Sequence, residues 1–533
     1  MSMRNDQPTD EVSKSRPYLL AALALFFVTV LSLIALRPLM PLDETRYVAV
    51  AWEMWVGGSK FVPHLNGELY SQKPPMLFWL INLVWSVSGP SEFAARMVGP
   101  AFGMIAVALT AVLARLLWPH DAARPGRAAL VLTSTGVFLF YGSSTMFDVM
   151  LTVGVLAALI GVVLLRRELG WRAVAVLAAG LAFGVLAKGP VVLLHVLPVA
   201  LSMPLWGAPE TRPPLRAWYG RVGLAVLIAF GLVMLWLGPA LVFGGPEYRY
   251  DVLWRQSAGR VVESFAHVEP FWFYFALVPV YLWPWGWSRV GLAAFSPRRL
   301  WAGEGERFVT IWLVSVLLAF SAVSGKLPHY LVPEMPAAAL LLAYALPSAA
   351  GVRLWRLLWL LPALAILVLG VAIWTGAFQP NGLAPIAMPT TQFLASVLIL
   401  MVLVGVVWWR RSGAPGVALV APATLLMLHL SLSNTLFSQY SAKRIGEWLG
   451  ENEAQGIARI ADRSYHGEFN FAGRLQGPLP TLADQSAVQD WALAHPGGAL
   501  VSVVDLAIEG LILVAEVPLR GSNLRLYRIV PAE

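Results

Sequence analysis

Residues 41–80 read PLDETRYVAVAWEMWVGGSKFVPHLNGELYSQKPPMLFWL and concentrate charge, aromatics and turn residues in an otherwise greasy chain. Two adjacent carboxylates, Asp43 and Glu44, stand where a first apolar run should leave a membrane, and Lys73 stands directly before a second apolar segment. Ionisable side chains are costly at membrane depth, so their clustering at one membrane face points to a site. An acid and a base at that face suit a charged substrate carried by a lipid.

Composition sets the solvent. Of 533 residues 58% are hydrophobic and 13% charged, with a mean hydropathy of +0.68. Such a chain is too apolar for water and reads as a multi-spanning membrane protein. The formal charge of +8 does not call for nucleic acid, because excess arginine in a polytopic protein marks cytoplasmic loops. The absence of cysteine excludes disulfides, thiolate metal sites and cysteine nucleophiles. Arg4, Lys14 and Arg16 precede an apolar run over residues 17–36. That run is too long for a signal-peptide core, and it predicts an uncleaved first span with a cytoplasmic N-terminus.

Apolar runs of roughly twenty residues predict about thirteen spans, near residues 17–38, 94–118, 127–142, 149–165, 171–187, 190–206, 220–241, 271–288, 308–323, 328–347, 354–375, 391–409 and 415–434. Arg124 and Arg127, Arg166 and Arg167, Arg212 and Arg216, Arg298 and Arg299, Arg353 and Arg356, and Arg410 and Arg411 fall in or beside alternate loops on the N-terminal side, as the positive-inside rule requires. Counting residues 74–89 as a further span would invert that pattern, so this short segment reads as re-entrant or interfacial. Residues 44–55 read as an interfacial helix, with Tyr47, Ala51, Met54 and Trp55 at helical spacing and Arg46 with Glu53 on another face. The expected fold class is an all-α polytopic membrane protein over residues 1–434, its first external loop, 39–93, carrying interfacial helices. Beyond residue 434 hydropathy falls, and residues 435–533 are expected to form a small soluble α/β domain, extracytoplasmic by parity. Residues 443–452 suit a helix there, and residues 511–517 and 524–530 alternate as strands.

On the external side this topology gathers Asp43, Glu44, Arg46, Tyr70, Lys73, Asp148, Lys188, Lys326, Tyr330 and the loop that holds Arg260 and His267. Cations at the ends of separate spans can hold a phosphate at the bilayer surface while its tail stays in lipid. Each has a plainer reading beside this one. Asp43 suits an N-cap, with Glu44 in the first turn of the helix that follows. Lys73 and Lys188 suit snorkelling or packing at span ends. His267 lacks a second His or a Cys for a metal site, and His195 and His429 fit hydrogen bonds between helices. No phosphate-binding loop, dinucleotide fingerprint, HExxH or nucleophile elbow is present.

PLDETRYVAVAWEM, FVPHLNGELYSQKPPMLFWL, LAKGP and SGKLPHYLVPEMP, in that order, resemble the glycosyltransferases of the GT-C fold that use lipid-linked sugars. Nearest in pattern are bacterial 4-amino-4-deoxy-L-arabinose transferases acting on lipid A, with protein O-mannosyltransferases more distant. The resemblance implies a bacterial inner-membrane enzyme with an external site and a sugar donor on polyprenyl monophosphate. The implied acceptor is an envelope lipid, such as a lipid A phosphate, or a protein. It implies Asp43, beside Glu44, as the catalytic carboxylate, and Tyr70, Lys73, Arg260, Lys326 and Tyr330 as the phosphate cradle. Arg46, Asp148, Lys188 and His267 are further candidates. Gln72 departs from the pattern, which has an acid before the KPP lysine, so no metal is implied as obligate. The rival of another class is a polyprenyl-lipid transporter, which calls for ionisable residues in the middle of several spans.

Overall fold

The computed structural model describes residues 9–259, 268–345, 358–379, 386–408, 413–461 and 464–530. Among them are eight helices long and apolar enough to cross a bilayer, including α1 (Thr9–Ala35), α4 (Glu92–Leu117), α7 (Asp148–Arg167) and α8 (Trp171–Lys188). Later candidates are Leu215–Phe243, Glu304–Ala322, Thr390–Trp408 and Gly416–Ser433. The outer faces of these helices remain apolar: Leu227, Phe230, Leu235 and Val242 of the Leu215–Phe243 helix are all exposed. That pattern suits lipid as solvent.

The remaining expected spans are short or broken. Residues 127–142 divide into α5 (Arg124–Thr133) and α6 (Gly136–Gly142), and residues 190–206 into α9 (Val192–Leu201) and a final turn, Met203–Trp206. Residues 328–347 begin as a 3-10 segment, Pro328–Glu334, before the helix Met335–Ala345. Pro328 and Pro333 explain this start, since proline cannot supply the amide that an α-helical turn needs. The segment over 74–89 forms α3 (Met76–Ser88), whose 13 residues reach only about 20 Å, well short of a hydrocarbon core.

The centre of the bundle is α7, buried along nearly its whole length, with α8 packed antiparallel against it. Glycines make the pairing close. A Cβ on Gly154 would fall 2.8 Å from the Gly184 backbone, and one on Gly180 would fall 2.3 Å from the Ala158 amide nitrogen. Small residues four apart on both helices let the backbones meet, the usual device for helix association in lipid. The start of α7 is thereby fixed beside the end of α8.

The two ends of α7 differ in kind. At its C-terminal end Arg166 pairs with Glu304 at 3.1 Å, and near it Arg124 pairs with Glu306 at 3.2 Å. Asp148 lies at the other end, about 30 Å away along a 20-residue helix. Arg124 and Arg166 therefore lie at the opposite end of α7 from Asp148. Of the two intramembrane histidines, His195 does bond between elements, its Nδ1 2.6 Å from Glu334 Oε1. His429 does not: its Nδ1 meets Leu425 O within its own helix at 2.9 Å, because a carbonyl four residues back is always within reach in a helix.

Two more helices cap the Asp148 end, α2 (Asp43–Val56) and α3, joined by a hairpin of β1 (His64–Leu65) and β2 (Glu68–Leu69). α2 is covered on more than one side. Nine of its residues, from Glu44 to Met54, are buried, because the C-terminal region covers the side that a free interfacial helix would turn to water. That region holds a five-stranded mixed sheet in the order β4-β3-β5-β7-β6, with β3 (Ile457–Ile460), β4 (Thr481–Leu482), β5 (Ala499–Ser502), β6 (Leu511–Leu519) and β7 (Ser522–Ile529). Helices Lys443–Asn452 and Gln485–Ala494 accompany it. The strands expected near 511–517 and 524–530 are the β6–β7 hairpin, which turns at Arg520 (φ 55) and Gly521 (φ 79), the left-handed pair a two-residue hairpin loop requires.

The segment between β3 and β4 grips the first loop. Asn66 Nδ2 donates to Leu479 O at 3.1 Å, and Asn66 Oδ1 accepts from the Leu479 amide at 2.7 Å and Asn470 Nδ2 at 3.2 Å. Trp52 Nε1 donates to Leu475 O at 2.8 Å, and Phe471 stacks on Trp85 with ring centroids 5.1 Å apart.

Candidate active site

The first turn of α2 carries two carboxylates with opposite surroundings. Both sit at a helix N-terminus, where backbone dipoles favour negative charge. The cap itself is Leu42, with no side-chain hydrogen bond, so Asp43 does not serve as N-cap. Its Oδ1 instead accepts from Arg46 Nη2 at 2.9 Å and from the Tyr47 hydroxyl at 3.1 Å. The Asp43 side chain is 44% exposed. Burial first, then the charge of Asp43, push the Tyr47 hydroxyl above its ordinary range, so it remains a donor.

Glu44 is a correction to the sequence reading of a paired catalytic carboxylate. Its side chain points to the interior and is clasped by Arg37: Nη2 lies 3.0 Å from Oε1, and Nη1 makes a second, shorter contact to Oε2. The amides of Met40 and Thr145 donate to it at 3.0 and 2.7 Å. Burial would raise its pKa, but Arg37, with Arg96 and the Thr145 amide, holds the carboxyl below the ordinary range. With both oxygens engaged and no solvent access, Glu44 ties the end of α1 and the start of α7 to α2.

Around Asp43 the fold gathers groups from distant parts of the chain. Lys73, ahead of α3, has its ammonium 5.7 Å from the centroid of the Phe147 ring, and Phe147 packs edge-on against Tyr47 at 4.8 Å. Tyr70 is buried beside Phe78, ring centroids 6.1 Å apart. Asp148 and Lys188, fixed by the close packing of α7 and α8, form a buried ion pair, and the Lys188 ammonium lies 4.9 Å from the Tyr330 ring centroid. The charge of Lys73 also acts on Asp148. Arg46 Nη1 reaches Gln72 Oε1 at 3.5 Å.

One sequence candidate is placed differently. Lys326 is buried with its ammonium turned to backbone carbonyls, 2.7 Å from Glu269 O and 3.5 Å from Ser324 O, where it secures the strand-like contact of Val268 with Gly325. Its pairing with Lys73 is not seen among the described residues. Arg260 and His267 lie outside the described residues. Among those described, no three His, Asp or Glu side chains converge as metal ligands.

One residue of the site went unread in the sequence. His329, in the Pro328–Glu334 segment, packs edge-on between Tyr141 (5.8 Å) and Tyr330 (4.9 Å). The charges of Asp148, Lys188, Lys73 and Asp43 all act on it. The signal was its position in SGKLPHYLVPEMP, between Lys326 and Tyr330.

Residues 72–236 match the family model of dolichyl-phosphate-mannose-protein mannosyltransferases. The chain is 32% identical over 346 residues to the undecaprenyl phosphate-alpha-4-amino-4-deoxy-L-arabinose arabinosyl transferase of Pseudomonas paraeruginosa, a match covering 62% of this chain and 59% of that protein. It is 32% identical over 353 residues to the Serratia proteamaculans protein of the same name, covering 62% and 60%. The match thus spans about three fifths of these relatives. The fold is that of ArnT from Cupriavidus metallidurans: its crystal structure with undecaprenyl phosphate superposes with a TM-score of 0.76 at 17% identity, covering 97% of this chain and 98% of that one. Its apo crystal structure gives a TM-score of 0.72.

Proposed function

We propose that the protein is an integral-membrane inverting glycosyltransferase that moves a sugar from a polyprenyl monophosphate to an envelope acceptor. The first choice of sugar is 4-amino-4-deoxy-L-arabinose, and of acceptor a lipid A phosphate. The observation that carries this reading is a half-exposed carboxylate, Asp43, bonded to Tyr47, which packs on the Phe147 ring beside the Lys73 ammonium, with Lys188 and Tyr330 at the same end of α7. The similarity to arabinosyl transferases supplies the substrate class. Concentration of the candidates at one end of the bundle favours transfer over transport, which needs ionisable groups along a path.

In this mechanism the acceptor oxygen attacks the anomeric carbon while the bond to the phosphate oxygen breaks and its electron pair leaves with the phosphate. The leaving group gains a negative charge that Lys73, with Arg260, Tyr70 and Tyr330, would stabilise. A phosphate acceptor is already nucleophilic, so Asp43 then orients it and offsets positive charge on the sugar. For a hydroxyl acceptor Asp43 takes the proton. Glu44 is assigned to anchoring α2 and Lys326 to holding the loop. Asp148 with Lys188 positions Tyr330, and His267 is assigned no step. Residues 1–434 would form the transferase domain of about thirteen membrane segments, short and broken ones included, in the bacterial inner membrane. The N-terminus would be cytoplasmic, with the site and the residue 435–533 domain outside.

The test is transfer by purified protein in liposomes without an ion gradient, supplied with polyprenyl-phosphate aminoarabinose and lipid A. An aminoarabinose mass increment on lipid A is the expected result. The mannosyltransferase family match favours a protein or glycolipid acceptor as second reading, and an increment on such an acceptor alone would select it. Absence of transfer from any polyprenyl-phosphate sugar would remove both.

A further inference from the structure

We propose that His329 is a hydrogen-bond donor to the lipid phosphate as it leaves the sugar, an inference that rests on the donor reading above. His329 lies beside the Lys188–Asp148 pair: Tyr141 and Tyr330 flank its ring, and the Lys188 ammonium is 4.9 Å from the Tyr330 ring centroid. Its ring is held on edge by Tyr141 and Tyr330. The segment that carries it is pinned at both ends. Tyr274 and Tyr281 donate to the carbonyls of Leu327 and Pro328 at 3.2 and 2.7 Å, and Glu334 meets His195 at 2.6 Å. A ring so fixed is preorganised for a ligand, which is what transition-state stabilisation requires.

His195, His429 and His495 each have Nδ1 within 2.6–2.9 Å of an oxygen. His329 is half-buried, and among the described residues neither of its ring nitrogens has a hydrogen-bond partner. A neutral imidazole in this setting serves as an N–H donor and keeps its proton. As the sugar–phosphate bond breaks, its electron pair and the new negative charge remain on the phosphate. A donor at that oxygen is worth more at that stage than in the bound donor lipid.

Two substitutions separate this role from packing. His329→Phe keeps an edge-on ring between Tyr141 and Tyr330 but removes the donor, whereas His329→Gln keeps an N–H donor and loses the ring. We expect His329→Phe to lower kcat on the order of 10- to 100-fold and to weaken binding of undecaprenyl monophosphate in nanodiscs. His329→Gln is expected to retain most of both. The reverse order, with Phe near wild type and Gln impaired, would assign His329 to packing and overturn the proposal, as would equal activity of all three proteins. Lys73→Ala, measured alongside, separates the levels. If it weakens undecaprenyl monophosphate binding while His329→Phe does not, only this inference fails. If wild-type protein does not bind that lipid, the donor reading fails with it.

Discussion

Asp43 and Glu44 are consecutive carboxylates in one helical turn, yet one is half-exposed and bonded to Arg46 and Tyr47 while the other is sealed inside against Arg37. Their chemistry divides accordingly. A carboxylate with two side-chain donors and open space can accept a proton or face a developing charge. A carboxylate with every oxygen engaged and an arginine on it cannot, and it works as a rivet. Acidic residues at a membrane surface are thus sorted by what the fold leaves open around them, not by proximity in sequence.

The sharpest way to break this contrast is to unpair the sealed side. Arg37→Met leaves a buried carboxylate without its countercharge, and we expect a loss of about 3–5 kcal/mol, read as a fall in unfolding temperature in detergent. The double substitution Arg37→Met with Glu44→Leu should recover most of it. A stable but inactive Glu44→Leu single variant would instead make Glu44 chemical. On the open side, Asp43→Asn should cost on the order of 100-fold in transfer with unfolding temperature unchanged, and near-normal transfer would remove Asp43 from the reaction.

The cover over α2 is tested next. Asn66→Ala deletes three hydrogen bonds to the C-terminal region and should cost about 1–3 kcal/mol, visible as faster proteolysis of residues 464–480. Unchanged proteolysis would mean that the aromatic stack of Phe471 on Trp85 alone holds the segment. The smallest effect is a pH dependence. Burial, and then Arg46, lower the pKa of His466 below its ordinary 6.5, so the unfolded chain binds more protons than the folded one just below that pH. Its contribution is complete above about pH 6.5 and declines as pH falls towards the folded value. His466→Gln should flatten that slope in the same proteolysis assay, and a slope that survives the substitution would place the titration elsewhere.

How much was legible follows from the range of each signal. The polytopic character and the long spans came from runs of apolar residues, a signal contained in each segment. The strands near residues 511–517 and 524–530 came from strand-like alternation within each segment. The sequence also contained the small residues, four apart, of α7 and α8, but they were not read. Only pairing shows that Gly154 and Gly184 meet, and that this contact brings Asp148 to Lys188. The burial of α2 was illegible for a similar reason, since the segment that covers it lies some 400 residues away along the chain.

By itself the sequence determined the solvent, the long apolar helices and the stretch in which charge gathers, because hydropathy and local propensity act residue by residue. Tertiary structure alone decided that Asp43 stays half-exposed while Glu44 is clasped by Arg37, that Lys326 spends its charge on carbonyls, and that His329 packs between Tyr141 and Tyr330. Hydrogen-bond saturation and solvent access depend on side chains that only the folded chain brings together, so no local reading of the carboxylates and cations could have ranked them.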